Sequence, residues 1–564
     1  MFANNNESDS KTESKTEIST AGAIAILGVL VAIVFQMKIG NHPEKLERLQ
    51  FQYFEYAYYA GYALIAGLMG YILWMVIKKT KGLVERFTLL KPMMSCKEDS
   101  ISVGKTKDDI DLYLTDQDRT THVQIIGSTG RGKTESVIIP WASRDAKRGK
   151  SFVIIDGKGS PDLKERVLDN ARLSGQNPRI LHFDLNDQNY SGHINPLSHG
   201  SPQQITDRLF TALTFEEPFY KSLQSDICGT LIKLIHSNGE EVSFKKLFGL
   251  LTDDDVLAGS IGKCSDEAIK KRATAFLKQS KKDRDKNVYG LVSQIAPFAE
   301  GELAQIVNGD PLRWRQDSIH LAEIIINGGY SMDGEYEKEK RPFALVISIP
   351  TLKYQESGHI LGKLILQDIA YAIGERESKQ DNEFLSIFLD EFSEFVFPKF
   401  ISTLNKARSA NVAFHLSHQS MGDLAEVSDS FAKSVVTNTN VKCILGLNDP
   451  DTADYFSRHF GTFTEEKMTE QVDGIIWGEF QKTGMMSVRE VESFRIGPNV
   501  LKSLNRGEGV LHLPSPRGNI SEVLKFQSFS QDKELGFESA SQLVNLESHN
   551  AANEMSDHLK QLEA

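Results

Sequence analysis

The sequence has few cysteines, and they are not arranged in pairs. Its four cysteines lie far apart, and no C-x-x-C pair occurs: Cys96, Cys228, Cys264 and Cys443. This spacing excludes a zinc site built on paired cysteines and a disulfide framework, and it is typical of a protein in a reducing compartment. We therefore interpret the cysteines as buried structural thiols.

The chain also has no excess of positive charge. It carries 64 Lys and Arg against 76 Asp and Glu, for a formal net charge of -12. This balance excludes a protein that coats nucleic acid with its whole surface, so any such contact needs a local basic patch. The sequence has one basic run, for which a solvated helix face is the simpler interpretation and DNA binding the alternative: Lys270, Lys271, Arg272, Lys278, Lys281, Lys282, Arg284 and Lys286.

What the chain does have is a phosphate-binding loop. An apolar run at residues 123–126 predicts a buried strand, and the next residues fit G-x-x-x-x-G-K-[ST]. Glycines let backbone N–H groups turn towards a phosphate, the lysine adds a positive charge, and the threonine hydroxyl can bind Mg²⁺. The residues predicted to bind a nucleoside triphosphate are Gly127, Ser128, Thr129, Gly130, Arg131, Gly132, Lys133 and Thr134.

An acidic pair supplies the second half of the predicted site. The apolar run 385–389 predicts a strand that ends in Asp390 and Glu391, and α/β proteins place their ligand sites at the carboxyl ends of strands. We expect Asp390, with Thr134, to hold the Mg²⁺ ion. Glu391 is expected to polarise the attacking water, and Lys133 to act on the phosphates.

Four further positions have two open interpretations each. Gln419 follows the next predicted strand, where it either contacts the γ-phosphate or attacking water, or is a polar residue capping a strand end. Arg408 either crosses to a neighbouring subunit's nucleotide, as in ring ATPases, or forms a surface ion pair. Asp156 and Lys158 are placed beside the phosphates or at a subunit seam.

Two long stretches near the N-terminus contain no charged residue. Residues 18–37 and 56–77 each have about the 20 residues that a helix needs to cross a bilayer. Lys78, Lys79, Lys81 and Arg86 follow the second stretch, so the positive-inside bias places most of the chain in the cytoplasm. The sequence therefore predicts two transmembrane helices, with a buried soluble hairpin as the alternative.

Strands alternate with helices after residue 120, which predicts an α/β fold with a parallel sheet. Residues 202–307 show helical periodicity instead, which predicts an all-α domain inserted into the sheet domain. Strands are expected at 151–155, 179–184, 343–349, 384–389, 411–416 and 441–447, the last being the final central strand, with a closing hairpin in 490–513. The predicted domains are a disordered N-terminus (1–17), a two-helix anchor (18–81), a connector (82–120), the ATPase domain (121–201 and 311–527), the insertion (202–310) and an acidic flexible tail (528–564).

In combination these features resemble the type IV coupling proteins, the TraD/TraG-like conjugation ATPases. The resemblance rests on the two N-terminal spans, GSTGRGKT, VIIDGKGS, FLDEF, HINPL (193–197), KARSANVAFHLSHQS (406–420) and ILGLNDPDTADYFSRHFG (444–461). It implies a RecA-like ATPase in a homo-hexameric ring at the bacterial inner membrane, with its motor in the cytoplasm. It also implies the ATPase roles of Lys133, Thr134, Asp390, Glu391, Gln419 and Arg408. One departure is that family members commonly have Asp-Pro-Lys-Gly-Glu where this chain has Asp156-Gly-Lys-Gly-Ser160.

The resemblance implies a Mg²⁺- and ATP-dependent motor. It would recruit relaxase and relaxosome proteins and drive single-stranded DNA through a type IV secretion channel during conjugation. The alternative is a receptor that recruits protein effectors to the channel without pumping DNA. A chromosome-segregation translocase is disfavoured because only two spans are predicted, and an ABC transporter because no LSGGQ-like signature occurs.

Overall fold

A computed structural model of the chain describes residues 63, 65–77, 84, 86–308, 318–328, 341–379, 382–476, 479–515 and 518–527. Residues 65–77 are helical and expose large apolar side chains such as Met69 and Leu73. The predicted span 18–37, the N-terminal part of 56–77 and the acidic tail lie outside the described residues. Within the described residues, no helix combines the length and apolar character needed to cross a membrane.

The strands of the described residues are β1 (Ser100–Thr106), β2 (Asp111–Thr115), β3 (Val123–Ile126), β4 (Ser151–Asp156), β5 (Arg179–Asp184), β6 (Phe343–Ser348), β7 (Leu385–Asp390), β8 (Val412–His418), β9 (Val441–Leu445), β10 (Thr462–Ile476), β11 (Glu479–Phe494), β12 (Glu508–Leu513) and β13 (Ile520–Phe526). Eleven of them form one sheet, in the order β2-β1-β13-β12-β9-β3-β8-β7-β4-β6-β5. The other two, β10 and β11, form a separate two-stranded hairpin.

Helices cover the sheet and account for most of the residues between 202 and 327. The helices are Asp116–Arg119, Ile139–Lys147 (entered through a π-helical turn, Thr134–Ile138), Pro161–Arg172, Pro202–Ala212, Pro218–Ser237, Phe244–Thr252, Asp254–Lys263, Glu267–Leu277, Lys281–Ala299, Ala304–Val307, Leu321–Asn327, Thr351–Glu377, Phe400–Ala407, Met421–Ala425, Asp429–Asn438, Pro450–Phe460 and Pro498–Ser503.

The seven strands from β9 to β5 are parallel, and both faces of this part of the sheet are buried. On β4, Val153 and Ile155 belong to one hydrophobic cluster, whereas Phe152 and Ile154 belong to the other. Burial on both faces explains why these strands read as continuous apolar runs and not as alternating ones. The prediction of a mixed α/β fold with a parallel sheet is therefore confirmed.

The predicted closing hairpin in residues 490–513 is wrong. Residues 490–494 belong to β11, which pairs with β10, whereas β12 enters the main sheet between β9 and β13. The two strand-like runs are not neighbours because a helix, Pro498–Ser503, separates them and packs at the end of β9, where the Leu447 N–H donates to the Leu501 carbonyl at 3.0 Å.

Residues 82–120, the expected connector, contribute two short strands, β1 and β2, to the sheet. Among the described strands, β9 is the last parallel one in the chain, and β12 and β13 extend the sheet beside it as antiparallel strands. The prediction of buried cysteines is wrong at one position. Cys96 is exposed, in contrast to the other cysteines. Seven of the eight residues of the basic run lie on two helices, and Lys278 lies between them. Arg272 pairs with Asp226, and the buried Arg284 pairs with Asp254. These ion pairs fit the interpretation of a structural, partly solvated face.

A buried ion pair joins the sheet to its covering helices. Arg119 and Asp145 are fully buried, and the guanidinium donates to both carboxylate oxygens at 2.7 and 2.6 Å. Asp145 also accepts from the Ser386 hydroxyl of β7, and Arg119 donates to the His415 ring of β8. Although burial favours the protonated acid, the Arg119 guanidinium holds the pKa of Asp145 well below its usual range.

We expect Arg119→Met to destabilise the folded chain by about 3–5 kcal/mol, because it leaves the Asp145 carboxylate buried without its main partner. Urea unfolding of the purified full-length protein measures this loss. Arg172→Met is the matched control: its pair with Asp169 is exposed to solvent and should contribute less than about 1 kcal/mol. Equal effects of the two substitutions would show that the buried pair is not needed for stability.

Candidate functional site

The predicted phosphate loop connects β3 to the π-helical turn that begins at Thr134. Gly132 has φ 92°, a left-handed conformation that favours glycine, and a Cβ there would lie 3.0 Å from the Ser136 hydroxyl oxygen. The buried Lys133 ammonium donates to the Gly127 carbonyl at 2.7 Å, so the side chain folds back over the loop. Burial lowers the pKa of Lys133 from its ordinary value.

Contacts with the segment after β9 fix the shape of this loop. The Ser128 N–H donates to the Gly446 carbonyl at 3.0 Å, and its hydroxyl accepts from the Asn448 N–H at 2.8 Å. Arg131 donates to the Asn448 side chain at 3.1 Å. Sequence reasoning missed Asn448, although its position just after a predicted central strand was an available signal.

The acidic pair lies beside the phosphate loop, as predicted. Asp390 ends β7, and its carboxylate accepts from the Thr134 hydroxyl at 2.8 Å and from the Ser417 hydroxyl at 2.8 Å. Two hydroxyls and a carboxylate are hard oxygen donors, so the residues present fit a Mg²⁺ ion. Ser417, at the end of β8, was not predicted to belong to the site.

Glu391 adopts an unusual backbone conformation, with φ 54° and ψ 52°. A non-glycine residue in this left-handed region carries a cost of roughly 1–3 kcal/mol, and such residues cluster at functional sites. Its buried carboxylate forms an ion pair with Lys158 and accepts from the Gln419 amide at 3.5 Å. Gln419 in turn accepts from the Thr129 hydroxyl at 2.9 Å, which links Glu391 to the phosphate loop.

Asp156 ends β4 directly beside Asp390, its register partner on β7. Burial, with a further contribution from the Asp390 charge, raises the pKa of Asp156 to about 6. Its carboxylate accepts from the N–H groups of Lys158 and Ser160 at 2.8 and 2.6 Å, and so shapes the turn that follows. The sequence left the surroundings of Asp156 and Lys158 open, and the structure places both beside the acidic pair.

Arg408 is not brought to this site within one chain. It is exposed and lies between the helix Phe400–Ala407 and the start of β8, and its charge acts on His122, just before β3. The phosphate loop is at the opposite, carboxyl edge, about 20 Å away by the length of a seven-residue strand. Any action of Arg408 on a nucleotide therefore requires a second subunit.

Comparison with protein families gives one match to the second half of the chain. Residues 385–493 match the family described as the TraM recognition site of TraD and TraG. This segment runs from β7, which carries the acidic pair, to the end of the β10–β11 hairpin.

A curated relative matches a larger part of the chain. The type 4 coupling protein DotL of Legionella pneumophila is 21% identical over an alignment of 398 residues, and the match covers 62% of this chain. The chain spans about half the length of this relative, since the match covers 50% of it.

Solved structures with the same fold include the bacterial conjugative coupling protein TrwB without its first 70 residues. It is 15% identical, with a TM-score of 0.55, and the match covers 79% of this chain and 92% of the truncated chain. TrwB in complex with ADP and Mg²⁺ matches with a TM-score of 0.53 at 15% identity, over 78% of this chain and 92% of that one. The fold and these sequence matches together support the type IV coupling protein family for this chain, and they confirm the resemblance that its motifs carry.

Proposed function

We propose that this protein is a Mg²⁺-dependent ATPase of the bacterial inner membrane that delivers substrates to a type IV secretion channel. The observation that carries the proposal is the contact between Thr134 and Asp390, with Glu391 next to it. A phosphate loop that meets an acidic pair in this way supplies the parts needed to bind a nucleoside triphosphate and to activate water. Structures of TrwB with ADP and Mg²⁺ and with a non-hydrolysable ATP analogue support the choice of ATP.

Each residue of the proposed site has a separate role. The backbone N–H groups of residues 127–134 surround the β- and γ-phosphates, and Lys133 moves from the Gly127 carbonyl to the phosphate oxygens. Thr134 and Asp390 would hold Mg²⁺, which would supply positive charge to balance the phosphate oxygens. Glu391 polarises the attacking water, and Gln419 orients it, because an amide both donates and accepts hydrogen bonds.

The proposed cargo is single-stranded DNA with its attached relaxase. The match of residues 385–493 to a TraM recognition region supports the recruitment of relaxosome proteins. Two N-terminal spans are proposed to anchor the chain with its motor in the cytoplasm, and a homo-hexameric ring is proposed as the active form. The acidic segment after residue 531 is proposed to bind basic partner proteins.

We expect Glu391→Gln to bind ATP at least as tightly as the unmodified protein but to hydrolyse it at least about 100-fold more slowly, because an amide cannot act as a base. Lys133→Ala should instead weaken ATP binding. Nucleotide binding and phosphate release by the detergent-solubilised full chain measure the two effects separately. Glu394→Gln, a neighbouring carboxylate that faces His359, is the matched control. An equal turnover of Glu391→Gln and the control would remove Glu391 from the mechanism.

Arg408 is expected to act on the nucleotide of a neighbouring subunit, where such an arginine contributes about 10³–10⁵ in rate. Arg408→Ala and Lys133→Ala rings should each be nearly inactive. Rings that contain both variants have some interfaces with an intact loop and an intact arginine, so they should recover ATPase activity. Unmixed samples of each variant at the same total concentration are the control. If verified mixed rings recover no ATPase activity, Arg408 has no role in hydrolysis.

Single-stranded DNA is expected to stimulate ATP hydrolysis if DNA is the cargo, because binding of the transported polymer and firing of the motor are coupled. Deletion of residues 531–564 should leave this stimulation intact while lowering the transfer of particular cargo. ATPase assays with and without single-stranded DNA, and transfer assays with several cargos, test the two expectations. A rate that ignores DNA but rises with a secreted protein would favour the effector-receptor alternative.

A further inference from the structure

The turn after β4 brings a lysine to the proposed water-activating residue. Hydrogen bonds fix the backbone of this turn at Gly157. The Gly157 N–H donates to the Asp390 carbonyl at 3.3 Å, and the Gly157 carbonyl accepts from the Thr351 N–H and hydroxyl at 3.1 and 3.2 Å. The Asp156 carboxylate accepts hydrogen bonds from the N–H groups of Lys158 and Ser160 in the same turn. A rigid base therefore carries the long, flexible Lys158 side chain.

The two members of the Lys158–Glu391 ion pair differ in freedom. The Lys158 side chain is 50% exposed, whereas that of Glu391 is 9% exposed and is contacted on its other oxygen by Gln419. Burial acts to lower the pKa of Lys158, but the hydrogen bond and charge of Glu391 outweigh it and raise that pKa. The Lys158 side chain is therefore the member of the pair that can move away, whereas the Glu391 carboxylate is held in place.

The absence of a side chain at Gly157 allows this close approach. A Cβ at Gly157 would lie 3.3 Å from the Glu391 Cβ and 3.3 Å from the Phe395 ring, tighter than most contacts of that kind. The Gly157 N–H is also in use, and a proline at this position has none to donate. Glycine at this position thus suits a turn that holds its lysine against Glu391.

We propose that Lys158 is a positioning residue that holds Glu391 away from water activation until a γ-phosphate draws the lysine away. The inference rests on the proposed function. Lys158 contacts Glu391, which Gln419 links to Thr129 of the phosphate loop, so the ammonium group lies on the side of the acidic pair that this loop adjoins. An incoming triphosphate is therefore a competing anion for the same ammonium group. Glu391, once released, remains bound to Gln419 and can polarise a water molecule.

This competition predicts a distinctive kinetic change in Lys158→Met. In the unmodified chain the ammonium group is shared between Glu391 and the bound γ-phosphate, so Glu391 is paired for part of the time. Without the ion pair Glu391 is always free, and kcat should rise by about threefold. The lost contact with the γ-phosphate should raise KM by a similar factor. Lys158→Arg keeps the charge and should restore both values, and the gain in kcat should vanish when Glu391→Gln is added. A merely structural role would lower kcat and leave it low in Lys158→Arg.

Lys164→Met is the matched control for the kinetic measurement. Lys164 also forms an ion pair with a buried carboxylate, Asp184, at 2.6 Å, but it is not in contact with Glu391. Its loss should leave kcat and KM unchanged. A folded Lys158→Met protein with an unchanged or reduced kcat would overturn the inference.

A binding measurement tests the competition without any hydrolysis. Full-length protein is titrated with β,γ-imido ATP and with ADP, as the unmodified chain, Glu391→Gln, Lys158→Met and the double variant. Glu391→Gln removes the carboxylate that competes for Lys158, so it should strengthen binding of the imido analogue by about threefold in the chain that has Lys158. The same substitution should have no effect in the Lys158→Met background. ADP binding should not change. Equal effects of Glu391→Gln in both backgrounds would refute the competition, whereas a chain that binds but never hydrolyses ATP would refute the proposed function alone.

Discussion

The candidate site depends on parallel strands that end in register at one edge of the sheet. The strands β3, β8, β7 and β4 are consecutive neighbours, and each delivers part of the site from its carboxyl end. Ile126 faces His418 across one strand pair, and Asp156 faces Asp390 across another. A shift of one residue in any of these pairings would turn the side chains to the other face of the sheet. The buried apolar rows on both faces, which fix the register, therefore also fix the geometry of the site.

The site brings positive and negative side chains together in a small volume. Lys158 forms an ion pair with Glu391, and Asp390 is the register partner of Asp156 across the neighbouring strand pair. The side chains of Asp156, Asp390 and Lys133 have little access to solvent. In such surroundings each charge is stabilised chiefly by its neighbours, so a bound polyphosphate or a metal ion must exchange partners with them. Two hydrogen bonds, from Thr129 to Gln419 and from Gln419 to Glu391, connect the phosphate loop to the acidic pair.

Much of the fold and the site could be predicted because the signals are local. The apolar strands of the central sheet are short continuous runs, and the loop motif and Asp390-Glu391 follow two of them directly. The order of the strands is not a local property, so the approach of Lys158 to Glu391 could not be derived from the spacing of β4 and β7. The β10–β11 hairpin was missed because its first half, beginning TFTEEKMTEQ, is polar and lacks an alternating apolar pattern. The membrane spans were predicted from composition alone and lie largely outside the described residues.

The separation of Arg408 from the phosphate loop has a consequence for the symmetry of any assembly. If the amino edge of one sheet completes the carboxyl edge of the next, the contact joins two different surfaces. A two-fold dimer uses one self-complementary surface, so it could complete both nucleotide sites only if that surface contained both edges of the sheet. Head-to-tail contacts repeat around an axis. If the rotation closes, they form a ring in which every subunit has both contacts, and if it does not, they form an open filament. The direction of the strands within one subunit would then give the whole ring a sense of rotation.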